Sequence, residues 1–212
     1  VTYFNPFKDV KTTSWYFNYM IHLYEAGVIS GTSATTYTPD AKLSWAAALK
    51  LLLVSHGDLK SEDATGADWS KNTIAKAAEL GLVAADLDGT KAISRLEFCQ
   101  VAAKLNKLAE SKTESKFTDC TDGYVMALVD AKVINGMTET TFEPAASLTR
   151  AQIAKIIYQL NLIEYILMTR KLTPDDIVAE FASFCFDASV IDLFAPLTAG
   201  AVLYILPESI RK

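Results

Sequence analysis

The feature that most constrains this chain is an internal repeat, because a fold made of repeats must bury its core between copies. Trp15 is followed twelve residues later by Gly27, and Trp69 at the same distance by Gly81. After Gly31 the chain runs Thr-Ser-Ala-Thr-Thr-Tyr-Thr-Pro-Asp-Ala-Lys-Leu43. After Gly136 it runs Met-Thr-Glu-Thr-Thr-Phe-Glu-Pro-Ala-Ala-Ser-Leu148, with Pro39 and Pro144 in register. Phe7-Lys8-Asp9-Val10 opens the first copy and Phe117-Thr118-Asp119-Cys120 the third. Gly27, Gly81 and Lys132 mark one position in three copies about fifty residues apart.

Each copy has the pattern of helix, loop, helix. Met20, Leu23 and Tyr24 fall on one helical face by their i, i+3, i+4 spacing. Their counterparts are Ile74, Ala77 and Ala78, then Val125, Leu128 and Val129. The second helices carry Leu51 and Leu52, then Phe98, Val101, Ala102 and Leu105, then Ile153, Ile156, Ile157 and Leu160. These stripes are core. The turn-rich segments Lys60 to Gly66 and Glu110 to Lys116 are expected to link the copies.

The second helix of each copy begins at an informative place. Ser94-Arg95-Leu96-Glu97 and Thr149-Arg150-Ala151-Gln152 both fit a capping box, in which hydroxyl and carboxylate or amide exchange hydrogen bonds with the first turn. Arg95 and Arg150 stand at the first helical position, where a cation opposes the macrodipole. A guanidinium beside free amide donors is an anion pocket. The alternative is an arginine paired with a carboxylate such as Asp9 or Asp119. The first copy departs from the pattern: Ser44 keeps the hydroxyl, but Trp45 replaces the arginine and Ala47 the carboxylate. Trp45 either stacks on a sugar or packs against a neighbouring copy, and packing is the preferred expectation. Cys120 aligns, by distance from Lys132, with Trp15 and Trp69.

Composition excludes several classes. Half of the 212 residues are apolar, which favours folding over disorder. A net charge of -5 without a basic stripe argues against a nucleic-acid partner. No apolar run is long enough for a membrane span. The three cysteines, Cys99, Cys120 and Cys185, lack metal-ligand spacing, so neither a metal nor a cofactor is expected. The chain opens on Val1 with no basic, apolar leader; the expectation is a removed signal or a piece of a longer protein.

These motifs resemble the S-layer homology family. Its pattern appears as Phe7, Asp9, Val10, Trp15, Tyr16, Gly27 to Gly31, Tyr37, Pro39 and Leu43. It appears again as Phe117, Asp119, Val133 to Gly136, Phe142, Pro144 and Leu148 to Gln152, and in shorter form as Trp69, Gly81 and Ile93 to Glu97. The resemblance implies a mainly α fold of three helix-loop-helix repeats in a pseudo-threefold arrangement, at 1–59, 60–109 and 110–160. It implies grooves between neighbours that bind secondary cell-wall polymer, which in the family often carries an acidic pyruvate ketal. The ligand residues it implies are Arg95, Arg150, Glu97, Gln152, Thr149, Trp15 and Trp69. Trp45 and Cys120 break the pattern and leave one groove inactive. The implied role is non-covalent anchoring of a secreted protein at the cell wall or S-layer, and not catalysis; a structural module for S-layer self-assembly is the rival.

Residues 161–212 follow a different pattern. Ile177 to Phe184 and Ala201 to Leu206 have the composition of buried strands, and Ser189 to Thr198 has helical spacing, which together predict a small βαβ fragment. Ala182 to Phe194, Leu197 to Ala201 and Pro207 to Arg211 resemble adenylation domains of non-ribosomal peptide synthetases. That family needs a Ser/Thr/Gly-rich phosphate loop and a later catalytic lysine, and neither is in this sequence. A truncated piece of an amino-acid-adenylating enzyme is thus the alternative function. A truncated or artificially joined reading frame is the expected origin of the pairing, and a real fusion whose remaining parts are missing is the rival.

Overall fold

A computed structural model describes residues 4–170, 177–180 and 202–205. The chain divides into two compact units, Val1–Tyr158 and Gln159–Lys212. Six helices come first: α1 (Phe17–Glu25), α2 (Trp45–His56), α3 (Trp69–Glu79), α4 (Arg95–Leu105), α5 (Gly123–Asp130) and α6 (Arg150–Arg170). Two short strands follow, β1 (Ile177–Glu180) and β2 (Val202–Ile205), paired in parallel with Ile177 opposite Val202. Parallel pairing is what a βαβ crossover requires. The expected Ser189 to Thr198 helix lies outside the described residues, as do Phe181 to Phe184, Cys185 and the turn before β1. The fold is mainly α.

The expected stripes are core. Met20, Leu23, Leu51, Leu52, Ala77, Phe98, Val125, Leu128, Ile153 and Ile157 are all buried. Tyr24 and Ala78 are partial exceptions, neither of them fully buried; Tyr24 meets the Phe7 ring edge-on at 5.2 Å.

The three helix pairs are joined in a closed ring at the starts of their second helices. The residue pairs Ser44–Ala92, Ser94–Ser147 and Lys42–Thr149 form isolated antiparallel bridges, one between each two pairs. The first free amides of each helix then bond to the loop of the next pair. Trp45 N–H donates to Lys91 O (2.8 Å), Arg95 N–H to Ala146 O (2.8 Å) and Arg150 N–H to Ala41 O (3.0 Å). One residue on, Ala46, Leu96 and Ala151 donate to Gly89, Pro144 and Pro39. Helix ends must satisfy these donors somewhere, and here they do so by holding three pairs in one cyclic order.

Two loops carry the same internal scaffold. Asp9 accepts from Tyr37 N–H (2.8 Å) and Thr38 N–H (2.7 Å), and Asp119 from Phe142 N–H and Glu143 N–H (2.8 Å each). These paired bonds hold Thr38 and Glu143 at φ 58° and 60°, a region costly for residues other than glycine. Phe7 packs on Tyr37 and Phe117 on Phe142, both at 5.5 Å between ring centres. Gly31 and Gly136 lie so close beneath these rings that a Cβ would collide with Phe7 or Phe117 and with loop carbonyls.

Cys120 needs correcting. Its carbonyl accepts from Ser115 Oγ, as that of Val10 accepts from Asn5 Nδ2, and both side chains are buried. Cys120 is therefore the counterpart of Val10 in the opening turn, not of Trp15. The third pair reaches α5 by a shorter path, and Asp122 caps that helix by accepting from Tyr124 and Val125.

Candidate functional site

The helix starts are built as the sequence indicated. Ser94 accepts from Glu97 N–H (3.2 Å) while Glu97 accepts from Ser94 N–H (2.8 Å). Thr149 and Gln152 exchange the same two bonds at 3.2 and 2.9 Å. In α2 Ser44 bonds Ala47 N–H at 3.4 Å, without a reciprocal partner. The expectation of free amide donors beside the arginines is overturned, because caps and neighbouring carbonyls take the amides of the first three positions. Glu97, Thr149 and Gln152 all take part in these caps.

The arginines do not pair with Asp9 or Asp119. Arg150 donates through Nε to Tyr37 O (2.8 Å) and through Nη2 to Ser30 O (2.7 Å), with its guanidinium 4.6 Å over the Tyr37 ring. Arg95 donates through Nη2 to Asn135 O (2.6 Å) and stacks on Phe142 at the same distance. Each arginine thus crosses from its own helix to the loop of the next pair. Burial lowers the pKa of both from the ordinary arginine value, yet both stay cationic. Arg95 Nε is buried without a hydrogen-bond partner, where Arg150 has the Tyr37 carbonyl.

Two equivalent grooves result. The α2 groove, about 450 Å³, lies between Gly27–Ser30 and α2; Lys50, Trp69 and Arg150 line it, and Ser61, Glu62 and Thr65 form a polar wall. The α6 groove, about 180 Å³, lies between Val133–Met137 and α6, lined by Trp15, Arg95, Gln152 and Lys155. In each, one pair supplies loop and helix, the preceding pair an arginine, and the following pair a tryptophan. The ring closes because the pair that follows the third is the first. Lys50 Nζ lies 5.4 Å from the Trp69 ring centre, and burial lowers its pKa. A paired cation and an aromatic face suit a ligand that joins an anionic group to a sugar ring.

Of the expected ligand residues, Arg150 and Trp69 meet in one groove, and Arg95, Trp15 and Gln152 in the other. Lys50 and Lys155 were missed. Each follows its helix-start residue, Trp45 or Arg150, by five positions, a repeat that self-comparison contains. The cyclic order also assigns the departures to one place. Trp45 bonds through its amide to the middle loop, where the other grooves receive an arginine. On α4, Gln100 replaces the lysine and bonds Asp122 (2.7 Å), and the third pair has no tryptophan to add.

Fold and grooves together define a ring of cyclically stitched helix pairs. The family model of the S-layer homology domain matches two segments of the chain, residues 6–48 and 118–154. The chain is 31% identical over 179 residues to an endoglucanase of Bacillus sp. (strain KSM-635), covering 73% of this chain and 18% of that protein. It is 26% identical over 181 residues to the surface-layer 125 kDa protein of Lysinibacillus sphaericus, covering 75% and 14%. A partial match to tyrocidine synthase 2 of Brevibacillus parabrevis, 51% over 39 residues, covers 18% of this chain and 1% of the synthase. That match supports the peptide-synthetase resemblance of residues 161–212. The chain spans less than a fifth of each relative. S-layer homology segments mark a cell-surface module, and no helix among the described residues is long and apolar enough to cross a membrane.

Proposed function

We propose that residues 1–160, as three units at 1–59, 60–109 and 110–160, anchor a secreted protein to an acidic secondary cell-wall polysaccharide. The observation that carries this is the twofold recurrence of one arrangement, an arginine, a lysine and a tryptophan from three different helix pairs around one groove. Arg150 and Lys50 would hold the anionic group in the α2 groove and Arg95 and Lys155 in the α6 groove, with Trp69 and Trp15 against sugar faces. The groove on α4 has none of these residues and contributes no binding. A pyruvate ketal is one anionic group that fits.

The test is co-sedimentation of the full chain with purified Gram-positive cell walls, before and after acid removal of the polymer. Retention should vanish with the polymer; equal retention on bare peptidoglycan would sink the proposal. Because the arginines also join the pairs, Lys50→Ala and Lys155→Ala are the cleaner probes, each weakening retention while helical circular dichroism is unchanged. Residues 161–212 contribute no adenylation in this scheme, since the phosphate loop and catalytic lysine are absent from the sequence. Amino-acid-dependent ATP–pyrophosphate exchange above a heat-killed control would favour the synthetase alternative.

A further inference from the structure

The sequence contains one Asn–Gly pair, Asn135–Gly136, and the fold sets it on the wall of the α6 groove. In such a pair the chain readily attacks its own side chain, because no Cβ shields the glycine nitrogen from the asparagine amide. Here the fold requires the glycine: a Cβ at position 136 would collide with the Phe117 ring and with the carbonyls of Thr138 and Thr141. Asn135 is exposed, and the Gly136 N–H donates to no carbonyl among the described residues. The peptide group that joins the two residues is also polarised. Its oxygen, Asn135 O, accepts from the Arg95 guanidinium at 2.6 Å. A cation there stabilises the negative charge that spreads over the group when its N–H loses a proton. The first pair has the same contact, Arg150 Nη2 to Ser30 O at 2.7 Å, and the same crowded glycine, Gly31, but a serine has no amide to react.

We infer that Asn135–Gly136 is a self-modification site, at which water converts Asn135 to isoaspartate and the product disables the α6 groove. The effect on the groove rests on the polysaccharide-binding proposal above; the reaction itself does not. Hydroxide removes the Gly136 N–H proton, and the nitrogen attacks Asn135 Cγ. The new N–Cγ bond closes a succinimide ring as the Cγ–Nδ2 bond breaks, and Nδ2 leaves as ammonia with a proton from water. A second water opens the ring. Its addition at the main-chain carbonyl carbon breaks the bond from that carbon to the Gly136 nitrogen and leaves a carboxylate there, so that the chain continues through Cγ. Arg95 stabilises the oxyanion formed in that addition and so directs water to this carbon. The sum is one amide and one water exchanged for one carboxylic acid and one ammonia, with no oxidant or reductant. The carboxylate forms on the oxygen that Arg95 already holds. A charge-assisted pair inside the protein then consumes the cation that an anionic ligand needs.

The experiment uses the full chain with Lys50→Ala, so that wall retention reads the α6 groove. It is aged in mildly alkaline water enriched in heavy oxygen, beside the free peptide Val-Ile-Asn-Gly-Met. Peptide mapping should find the label at Asn135, at a rate no lower than in the peptide, and isoaspartyl methyltransferase should report isoaspartate as the main product. Wall retention should fall in proportion to the isoaspartate formed while helical circular dichroism is unchanged. The same chain with Asn135→Ser, which installs the residue of the first pair, should keep after ageing the retention it shows when fresh. An unlabelled Asn135 in the folded chain while the peptide converts overturns the inference, as does retention that survives conversion. Both results leave the polysaccharide proposal standing. That proposal fails on a separate reading, equal retention of the fresh, unsubstituted protein on walls with and without polymer.

Discussion

The outer helix pairs and the middle pair have one topology but are held by different means. The outer loops, Gly27 to Leu43 and Lys132 to Leu148, are long and organised by a buried aromatic pair and an aspartate that binds two amides. The middle loop, Gly81 to Ile93, is shorter and has no such aspartate. Asp88 turns locally instead, accepting from Thr90 N–H and Oγ1. The outer loops receive an arginine from the preceding pair, and the middle loop receives Trp45. Nevertheless all three second helices place their first two amides on the next loop in the same way. The lesson is that backbone donors at helix starts maintain the ring, while the side chains that build grooves can be lost from one sector without breaking it.

The largest effect should come from crowding an outer loop. Gly136→Ala places a Cβ against Phe117 and two loop carbonyls, and should cost about 3 kcal/mol. Gly81→Ala in the middle pair meets no neighbour and adds only the strain of φ 70°, about 1 kcal/mol. Chemical denaturation of both variants measures the difference, and equal losses would contradict the crowding beneath the Phe117 ring.

Next come the crossing arginines. Arg150→Ala leaves the carbonyls of Ser30 and Tyr37 without their charged partner and should cost about 2–3 kcal/mol. Arg95→Ala removes one such bond and should cost less, because its Nε is already unpaired. A thermal melt that ranks them in reverse would place the stitching elsewhere.

Acid should act on the outer loops first. Burial works to raise the Asp9 pKa, but the amides of Tyr37 and Thr38 outweigh it and hold the carboxyl below its ordinary value. The amides of Phe142 and Glu143 do the same for Asp119. A depressed folded pKa contributes stability that is complete above the unfolded value of about 4 and lost as pH falls through the folded value. Melting temperature should therefore drop below about pH 4, and Asp9→Asn with Asp119→Asn should flatten that part of the profile. An unaltered profile in the double variant would rule out these carboxylates as its source.

The smallest effect concerns caps. Glu97→Ala opens a complete capping box and should cost about 1 kcal/mol. Ala47→Glu supplies the missing half of the box on α2 and should gain about half of that or less. Circular dichroism melts resolve both if the rest of the ring is intact.

Periodicity and local chemistry were legible along the chain. The stripes of Phe98, Val125 and Ile153, the caps at Ser94 and Thr149, and the repeat itself all follow from spacing, because a helix turns at a fixed pitch and a cap spans three residues. Lys50 and Lys155 were in principle legible as well, being repeats at one offset. The role of Arg95 and Arg150 was not, since their partners, Asn135 and Ser30, lie far away in sequence. The alignment of Cys120 with Trp15 failed because counting back from the helix is blind to a shortened turn; the opening Phe-x-Asp motifs pair Cys120 with Val10, and the hydrogen bonds of Ser115 and Asn5 agree.

By itself, then, the sequence determined three amphipathic helix pairs, their capped starts, and which side chains could carry charge or stack on a sugar. Only the tertiary structure decided that Arg150, Lys50 and Trp69, from three different pairs, face one groove and that Trp45 and Gln100 belong to another. The physical reason is the ring: each helix start gives its free amides to the next loop, and that order of donation, invisible in spacing, assigns every groove its residues.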